Sequence, residues 1–241
     1  MLAVSNLNSG YEKVHILYDI NIQCNSSEIV SIIGPNGSGK TTLLKTIVGL
    51  TNIYSGSVLF NNIKINNIPS YKIAKIGISY LPQGNNIFPS LSVYENLRIG
   101  CYLCNSKDLK ETINEIFSIF PILREYLAKK ASMLSGGERQ MLGIAMNLLR
   151  KPKLLMLDEP LAGLSPLIAK NILNKLVEIK DKLKIGIIIV EQNISKVLEI
   201  SDRIYLLASG KIVFSGKNNE LLENKDMVKL YMGLLSGGKN Q

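Results

Sequence analysis

The chain has 241 residues, of which 46% are hydrophobic and 20% are charged, proportions that are ordinary for a globular protein with a sizeable core. No apolar run approaches the roughly 18 residues of a membrane-spanning helix, and the N-terminus lacks the pattern of a signal peptide, so we expect a cytoplasmic protein. The net charge of +9 would suit nucleic acid, but the lysines are scattered and no aromatic residues are interleaved with them, so we expect a phosphate-bearing ligand and no nucleic acid partner.

The first third of the chain carries short apolar segments, several of which alternate with polar residues, a pattern typical of strands. Five strands are predicted there, at residues 2–7, 16–22, 28–33, 57–61 and 78–81. A glycine-rich stretch follows the third strand and leads into a predicted helix at residues 41–49.

Residues 92–149 have no clear strand pattern and are predicted to be helical. Apolar residues recur at helical spacing from Ile113 to Phe120, and Pro121 interrupts before the next helix. The last helix of this region begins after a Ser-Gly-Gly turn at residues 135–137.

Strands return after this helical region, at residues 154–157, 186–190, 203–207 and 212–214. An amphipathic helix at residues 168–183 separates the first two of them. Strands that alternate with helices indicate an α/β fold, with a mostly parallel sheet covered by helices on both faces. We predict one domain over residues 1–241, with a core of residues 1–85 and 150–241 and an inserted helical subdomain at residues 86–149.

Residues 34–41 read G-P-N-G-S-G-K-T and match the pattern G-x-x-x-x-G-K-T in full, between a predicted strand and a predicted helix. Glycines in such a loop let backbone amides turn inward around phosphate oxygens, and the helix N-terminus attracts the same anion. Lys40 supplies a charge for the β- and γ-phosphates, and the Thr41 hydroxyl can ligate Mg²⁺. We predict that ATP with Mg²⁺ binds to this loop and to the residue after it. The predicted ATP-binding residues are Gly34, Pro35, Asn36, Gly37, Ser38, Gly39, Lys40, Thr41 and Thr42.

Four apolar residues at 154–157 predict a buried strand that delivers two adjacent carboxylates, Asp158 and Glu159, at its end. Burying a carboxylate without a partner is costly, so such a pair is expected beside a metal or a reacting group. Asp158 would hold Mg²⁺, and Glu159 would orient or deprotonate the attacking water. Alone the pattern also fits a strand that ends at a solvated turn, but its place downstream of a phosphate loop favours the catalytic interpretation.

Residues 134–140 read L-S-G-G-E-R-Q and precede a predicted helix. The simple interpretation is an N-cap with a glycine turn, yet a serine hydroxyl, two glycine amides and a helix N-terminus also make a second anion site. The economical explanation is that two copies face each other, so that each nucleotide lies between one copy's phosphate loop and the other copy's turn. The residues predicted to reach the partner's nucleotide are Ser135, Gly136, Gly137 and Glu138.

With these motifs in this order, the sequence strongly resembles the nucleotide-binding subunits of ABC transporters over nearly its whole length. The resemblance implies ATP hydrolysis by a P-loop NTPase core that has an N-terminal antiparallel β subdomain and the inserted helical subdomain. It also implies that Tyr11 stacks on adenine and that Gln83 contacts Mg²⁺ and the attacking water. Residues 162–165 occupy the loop that passes signals between the two opposed sites, although Ser165 stands where the family commonly has aspartate.

The clearest departure from the family is Gln192, because a histidine that touches the γ-phosphate usually occupies this position. A glutamine amide can donate a hydrogen bond to phosphate but cannot carry a proton charge. We therefore expect hydrolysis to depend on Glu159, Lys40, Gln83 and Gln192, without the pH dependence of a switch histidine.

The same departure points to one branch of the family. The sequences V-E-Q-N at 190–193, L-P-Q-G at 81–84 and E-P-x-x-G-L at 159–164 resemble the ATPase subunit of branched-chain amino acid importers, and so does the stretch at 88–97. In that branch the ATPase works beside a second, different ATPase subunit, on the cytoplasmic face of the cell membrane. The implied partners are integral membrane permease subunits and, indirectly, an extracytoplasmic solute-binding protein.

Three other functions fit the same motifs. Importers of urea or short-chain amides share many of these features, and a lipid or polysaccharide exporter would use the same ATPase chemistry. A soluble ABC ATPase that acts on ribosomes or DNA belongs to a different class, and such proteins usually carry two domains or a long coiled coil. This chain has one predicted domain and no sustained heptads, so transport is the favoured function.

Overall fold

Two sheets form the framework of the computed structural model, which describes residues 1–84, 86–102 and 109–223. The first sheet is antiparallel, with the strand order β2-β1-β4-β5. Its strands are β1 (Leu2–Tyr11), β2 (Val14–Cys24), β4 (Asn52–Phe60) and β5 (Ile63–Lys64). The sheet confirms the antiparallel β subdomain that the resemblance implied.

Strand β4 begins at Asn52, five residues before the strand that was predicted from the sequence. Gly56 interrupts the sequence pattern because its φ of 86° lies in a region that favours glycine. The register between β1 and β4 shifts at this point, and a Cβ on Gly56 would lie 2.3 Å from the carbonyl oxygen of Asn6. A bulge therefore continues the strand through Gly56, where the sequence pattern alone predicts a break.

The second sheet has the order β10-β9-β3-β8-β7-β6, and all of its neighbouring pairs are parallel except β9 with β10. Its strands are β3 (Ile29–Ile33), β6 (Ile78–Leu81), β7 (Leu154–Asp158), β8 (Gly186–Glu191), β9 (Arg203–Ala208) and β10 (Lys211–Gly216). The antiparallel pair turns at Ser209 and Gly210, both with positive φ, as a two-residue hairpin turn requires. The predicted mostly parallel sheet is confirmed.

Both faces of the parallel strands are covered, which explains their uninterrupted apolar sequences. In β8, Ile187 and Ile189 pack into the apolar cluster on the side of the later helices. Ile188 and Val190 point the other way, into a cluster shared with the antiparallel sheet and the first helix. The sheet therefore lies at the centre of the molecule, between these two cores.

The described residues contain nine α-helices, three of which (α2, α8 and α9) are short and were not predicted. The helices are α1 (Lys40–Ile47), α2 (Ser70–Lys75), α3 (Val93–Gly100), α4 (Leu109–Ile119), α5 (Ile122–Glu125), α6 (Gly136–Leu148), α7 (Pro166–Leu183), α8 (Ile194–Val197) and α9 (Asn218–Glu223). The predicted first helix ends at Ile47 because Gly49 adopts a φ of 74° and the Leu50 N–H donates back to the Lys45 carbonyl oxygen at 2.8 Å.

Between β6 and β7, the regular elements in the described part of the chain are all helical. Helix α6 packs against α3, α7 and β6, so this helical stretch rests directly on one face of the central sheet. Among the residues that the structure describes, no helix is both long enough and apolar enough to span a bilayer.

Candidate functional site

The carboxyl ends of four parallel strands meet at one edge of the central sheet. Strands β3, β6, β7 and β8 lie in one parallel group, so the residues that follow them share that edge. These residues are Gly34 after β3, Gln83 beyond β6, Glu159 after β7 and Gln192 after β8. Ligands of open α/β sheets bind in this position, so the topology gathers the predicted site residues where a site is expected.

The phosphate loop, residues 34–41, approaches other backbone too closely for most side chains. A Cβ on Gly34 would lie 2.2 Å from the carbonyl oxygen of Leu207 in β9. The N–H of Gly210 donates to the carbonyl oxygen of Ser38 at 2.9 Å, so the β9-β10 turn also fixes the loop. Gly39 has a φ of 106°, which favours glycine. These contacts hold the loop in a fixed shape before α1 begins.

The Ser38 hydroxyl has no hydrogen-bond partner although it is buried in this loop. A buried hydroxyl without a partner costs about 1–3 kcal/mol, which a ligand oxygen at the loop would recover. Gly37, with a φ of 77°, leaves open space on its Cβ side. The Ser38 hydroxyl, which can donate a hydrogen bond, and the free space beside Gly37 are both consistent with an anionic ligand at this loop.

Lys40 begins α1 and turns its amine back over the loop. Its Nζ donates to the carbonyl oxygens of Gly34 and Pro35 at 2.9 and 3.0 Å, and it lies 3.7 Å from Glu159 Oε1. The side chain is 5% exposed. Burial lowers the pKa of the amine, while the nearby Glu159 and Asp158 carboxylates oppose that shift. The ammonium is thus directed at the centre of the site.

Asp158 lies within hydrogen-bonding distance of two hydroxyl groups. The Thr41 hydroxyl donates to Oδ1 at 3.0 Å, and the Tyr80 hydroxyl donates to Oδ2 at 3.0 Å. Burial and the neighbouring Asp158 carboxylate raise the pKa of Tyr80, so the phenol keeps its proton and stays a donor. Tyr80 was not predicted as a site residue, because a tyrosine in a buried strand is usually a core residue.

These oxygen donors fit Mg²⁺, which prefers one or two carboxylates together with hydroxyl, water and phosphate oxygens. Thr41 and Asp158 already lie side by side, as such a site needs. In the described part of the chain, no three or more His, Cys, Asp or Glu side chains cluster as a metal site.

Glu159 and Gln83 are joined across the site. Gln83 Nε2 donates to Glu159 Oε2 at 2.8 Å, and the Glu159 side chain is 16% exposed. Together with the loop they border a cleft of about 410 Å³. The cleft is lined by Ile16, Asn36, Gly37, Gly39, Lys40, Thr41, Thr42, Gln83 and Glu159.

Two predicted residues are placed less directly. Tyr11 ends β1 and is 39% exposed, and Gln192 follows β8 with its N–H donating to the Glu191 carboxylate. Neither belongs to the described residues that line the cleft, whereas Ile16 does. Sequence reasoning missed Ile16 because the alternation in β2 does not reveal which element its side chain contacts. Adenine stacking by Tyr11 and phosphate contact by Gln192 stay predictions.

A larger polar cavity of about 840 Å³ lies at the opposite ends of the strands. It contains the ion pair in which Arg203 Nε donates to Glu28 Oε1 at 2.9 Å. No phosphate loop opens into this cavity, and its charged groups are already paired in part. The chemistry therefore favours the smaller cleft as the functional site.

The serine-glycine turn, residues 135–137, begins α6 and lies apart from the cleft lining. Ser135 Oγ accepts the Glu138 N–H at 3.3 Å, and Glu138 Oε2 accepts the Ser135 N–H at 2.7 Å, which is a capping box. Ser135 and Gly136 are exposed, while Gly137 is buried, with Ile168 Cγ2 only 2.5 Å from where its Cβ would be. Both the capping and the anion-site interpretations thus fit this turn, and its role toward a partner's nucleotide stays a prediction.

The ABC transporter family profile matches residues 17–162, which include the phosphate loop, the serine-glycine turn and the two carboxylates. A protein of Archaeoglobus fulgidus named LivF, a probable branched-chain amino acid transport ATP-binding protein, is 46% identical over 98% of this chain and 100% of that protein. BraG of Pseudomonas aeruginosa, named as a high-affinity branched-chain amino acid transport ATP-binding protein, is 36% identical over 97% of this chain and 100% of its own length.

An export protein is also similar to the chain. LptB of Haemophilus influenzae, named as a lipopolysaccharide export system ATP-binding protein, is 33% identical over 97% of each chain. Among solved structures, the ADP conformation of an ABC transporter cassette superposes with a TM-score of 0.85 at 29% identity, covering 97% of this chain and 98% of that one. The structure of a dimeric cassette in a post-hydrolysis state, with ADP and phosphate bound, superposes with a TM-score of 0.79 at 25% identity. The match covers 90% of this chain and 99% of that one.

Proposed function

The chain is an ATPase of the ABC transporter family, and we propose that it drives an importer of branched-chain amino acids from the cytoplasmic face of the cell membrane. The observation that carries this proposal is the 46% identity to LivF over 98% of the chain, against 33% to the export protein LptB. The sequence V-E-Q-N at residues 190–193, which resembles this branch, supports the same assignment.

In the proposed reaction, ATP lies in the cleft with its phosphates over the phosphate loop. Thr41, Asp158 and Gln83 would hold Mg²⁺, which neutralises phosphate charge when bound. Lys40 would bind the β- and γ-phosphates, for which it must exchange its present contacts with the loop carbonyls. Glu159 would orient or deprotonate the attacking water, and the contact between Gln83 and Glu159 supports their acting on the same water. Positioning and charge neutralisation, not covalent chemistry, would accelerate the reaction.

The proposed site is shared by two subunits. Ser135 and Gly136 are exposed and lie outside the cleft of their own chain, so they are accessible to a nucleotide held by another subunit. The similar cassette that was solved as a dimer with ADP and phosphate supports this arrangement. We propose that the second ATPase subunit is non-identical, as the branch resemblance implies.

The proposed permease contact lies on the helical stretch, beside Asn96. This buried side chain bonds the Phe88 N–H at 2.7 Å and the carbonyl oxygens of Phe88 and Ser92, which fixes the turn before α3. Phe88, Tyr94 and Tyr102 are exposed there. A groove of about 320 Å³ runs alongside, lined by Leu91, Glu95, Arg98, Ile99 and Tyr102. Exposed aromatic residues beside a groove suit a short helix of a membrane permease subunit.

Import is tested by uptake into vesicles. The chain, its permeases and the second ATPase are reconstituted with the solute-binding protein, and ATP-dependent accumulation of labelled leucine is measured. We expect uptake that requires all the components. Uptake of urea or a short amide instead of leucine would show that the chain drives an importer of another solute. ATP-dependent extraction of lipid from the vesicles would favour an exporter such as the system of LptB. Co-sedimentation with ribosomes, without a permease, would reject transport altogether.

Replacing Asp158 with asparagine is expected to abolish the Mg²⁺ dependence of ATP hydrolysis together with most of the activity. The variant keeps one acceptor oxygen, which serves only one of the Thr41 and Tyr80 hydroxyls, and it loses the negative charge that attracts a divalent cation. We expect turnover to fall by about 100-fold or more, measured as phosphate release across a Mg²⁺ titration. Exposed Asp181 changed to asparagine serves as the control, and an unchanged Mg²⁺ response in Asp158→Asn would exclude Asp158 as a ligand.

A further inference from the structure

Glu191 is a buried carboxylate whose chemical role the V-E-Q-N stretch does not specify. It ends β8 and is 3% exposed, yet its Oε1 accepts the Leu161 N–H at 2.9 Å. The Gln192 N–H donates to the same carboxylate. Lys196, in α8, donates from Nζ to the Leu161 carbonyl oxygen at 3.3 Å. Both backbone polar groups of Leu161 are therefore bound by side chains of one segment, residues 191–196.

Leu161 belongs to the turn that carries Glu159. The φ of Glu159 is 47°, a left-handed conformation that costs a non-glycine residue about 1–2 kcal/mol. The Glu159 N–H donates to the Val190 carbonyl oxygen at 2.9 Å, and the Ala162 N–H donates to the Glu159 carbonyl oxygen at 3.2 Å. The hydrogen bond from the Leu161 N–H to Glu191 is a second bond between this strained turn and the end of β8, after the one from the Glu159 N–H to Val190. It therefore restrains the direction in which the Glu159 side chain points.

We propose that Glu191 is a positioning residue that fastens the Glu159 turn to the segment after β8, so that Glu159 and Gln192 keep one relative geometry during ATP hydrolysis. The proposal rests on the catalytic role proposed for Glu159. Glu191 is not among the described residues that line the cleft, so it acts on the reaction only through its neighbours. The residue that precedes Gln192 thus contributes to catalysis without touching the nucleotide.

Charge gives this attachment a pH dependence. The pKa of Glu191 is raised to about 7, chiefly by burial and to a lesser extent by Glu159, while the two N–H donors and Lys196 oppose the shift. Lys40, on α1, also lies in the field of this carboxylate. The ionised form accepts the Leu161 and Gln192 N–H groups more strongly and attracts Lys196. The turn is therefore held most firmly above pH 7.

The raised pKa of Glu191 makes the folded protein less stable as the pH rises, although the Glu159 turn is then held more firmly. The pH dependence of activity can therefore distinguish a positioning role from a purely structural one. The folded carboxyl binds its proton more tightly than the unfolded one, whose pKa is 4.5. The contribution of this group to stability is full below pH 4.5 and is lost as the pH rises through 7. If Glu191 positions Glu159, ATPase activity should rise as the pH passes through 7. If Glu191 has only a structural role, activity should fall with the pH or follow the fraction of folded protein.

The test compares Glu191→Gln and Glu191→Ala with Glu199→Gln, an exposed glutamate on a neighbouring turn, in the full-length chain assembled with the second ATPase subunit and the permeases. Steady-state kcat and KM for ATP are measured from pH 6 to pH 8.5, with thermal unfolding at each pH. We expect alanine to lower kcat by about tenfold or more, with KM within about threefold, because no nucleotide contact is lost. Glutamine keeps an acceptor for Leu161, so it should restore most of kcat while removing the rise of kcat near pH 7.

Lys196→Met provides a second variant that leaves the carboxylate in place, and it should lower kcat in the same direction by a smaller factor. The proposal is overturned if Glu191→Ala keeps kcat within about twofold, if its loss is entirely in KM, or if its loss matches the fraction unfolded. It is also overturned if Glu191→Gln retains the wild-type pH profile. Wild-type turnover by Glu159→Gln would instead show that Glu159 is not catalytic. That result would hold independently of the effect of Glu191→Ala.

Discussion

Glu159→Gln is expected to lower kcat for ATP hydrolysis by about 100-fold or more while ATP binding persists. Glutamine has the same shape, and its oxygen can still accept the hydrogen bond from Gln83 Nε2. It cannot take a proton from water, and it removes the charge that lies 3.7 Å from Lys40 Nζ. The loss should therefore appear in the chemical step and not in nucleotide affinity.

Phosphate release under saturating ATP measures the first effect, and equilibrium binding of a fluorescent ATP analogue measures the second. Glu115→Gln is a suitable control, because Glu115 pairs with Lys151 at the surface. Turnover by Glu159→Gln equal to that of the control would mean that another group activates the water. Loss of binding together with turnover would mean that the carboxylate organises the phosphate loop instead.

Lys40→Met is expected to weaken ATP binding by about 30-fold or more, because charge-assisted hydrogen bonds to phosphate of about 2 kcal/mol are lost. Methionine preserves the aliphatic stem but leaves the carbonyl oxygens of Gly34 and Pro35 without their present donor. Since the amine is nearly fully buried, no lysine elsewhere on the surface can replace it at this place.

Isothermal titration with a non-hydrolysable ATP analogue gives the affinity, and Lys45→Met on the last turn of the same helix is the matched control. Thermal unfolding without nucleotide should change little for Lys40→Met, whereas the shift produced by ATP should shrink. Wild-type affinity in Lys40→Met would show that backbone amides and Ser38 suffice to hold the phosphates.

The periodicity of the sequence predicted most of the fold because both faces of the central strands are buried. Apolar runs such as the one that ends in Asp158 have few alternatives to a buried strand. The misses lie where local pattern and tertiary structure differ, as at Gly56, where a bulge continues β4, and in α2, which has only six residues. Short helices carry too few periodic positions to be recognised.

The site was predictable to the extent that it depends on local sequence. The phosphate loop, Asp158 and Glu159 follow from motifs. The structure places the loop, Glu159 and Gln83 around one cleft, and Asp158 accepts a hydrogen bond from Thr41 in that loop. Tyr80 and Glu191 could not be found in this way, because their roles depend on contacts with residues distant in the sequence. The signal that they offer is a polar side chain near the carboxyl end of a parallel strand that is otherwise apolar.

The contacts between the phosphate loop and the β9-β10 turn have a consequence for synthesis. The loop is translated early, but Leu207 and Gly210, which support Gly34 and Ser38, are among the last described residues of the chain. A nascent chain on the ribosome thus exposes the nucleotide motif long before its supporting backbone has emerged. We therefore expect ATP to bind firmly only after Gly210 has emerged, so that a polypeptide that ends before Leu207 would bind neither ATP nor the other transporter subunits.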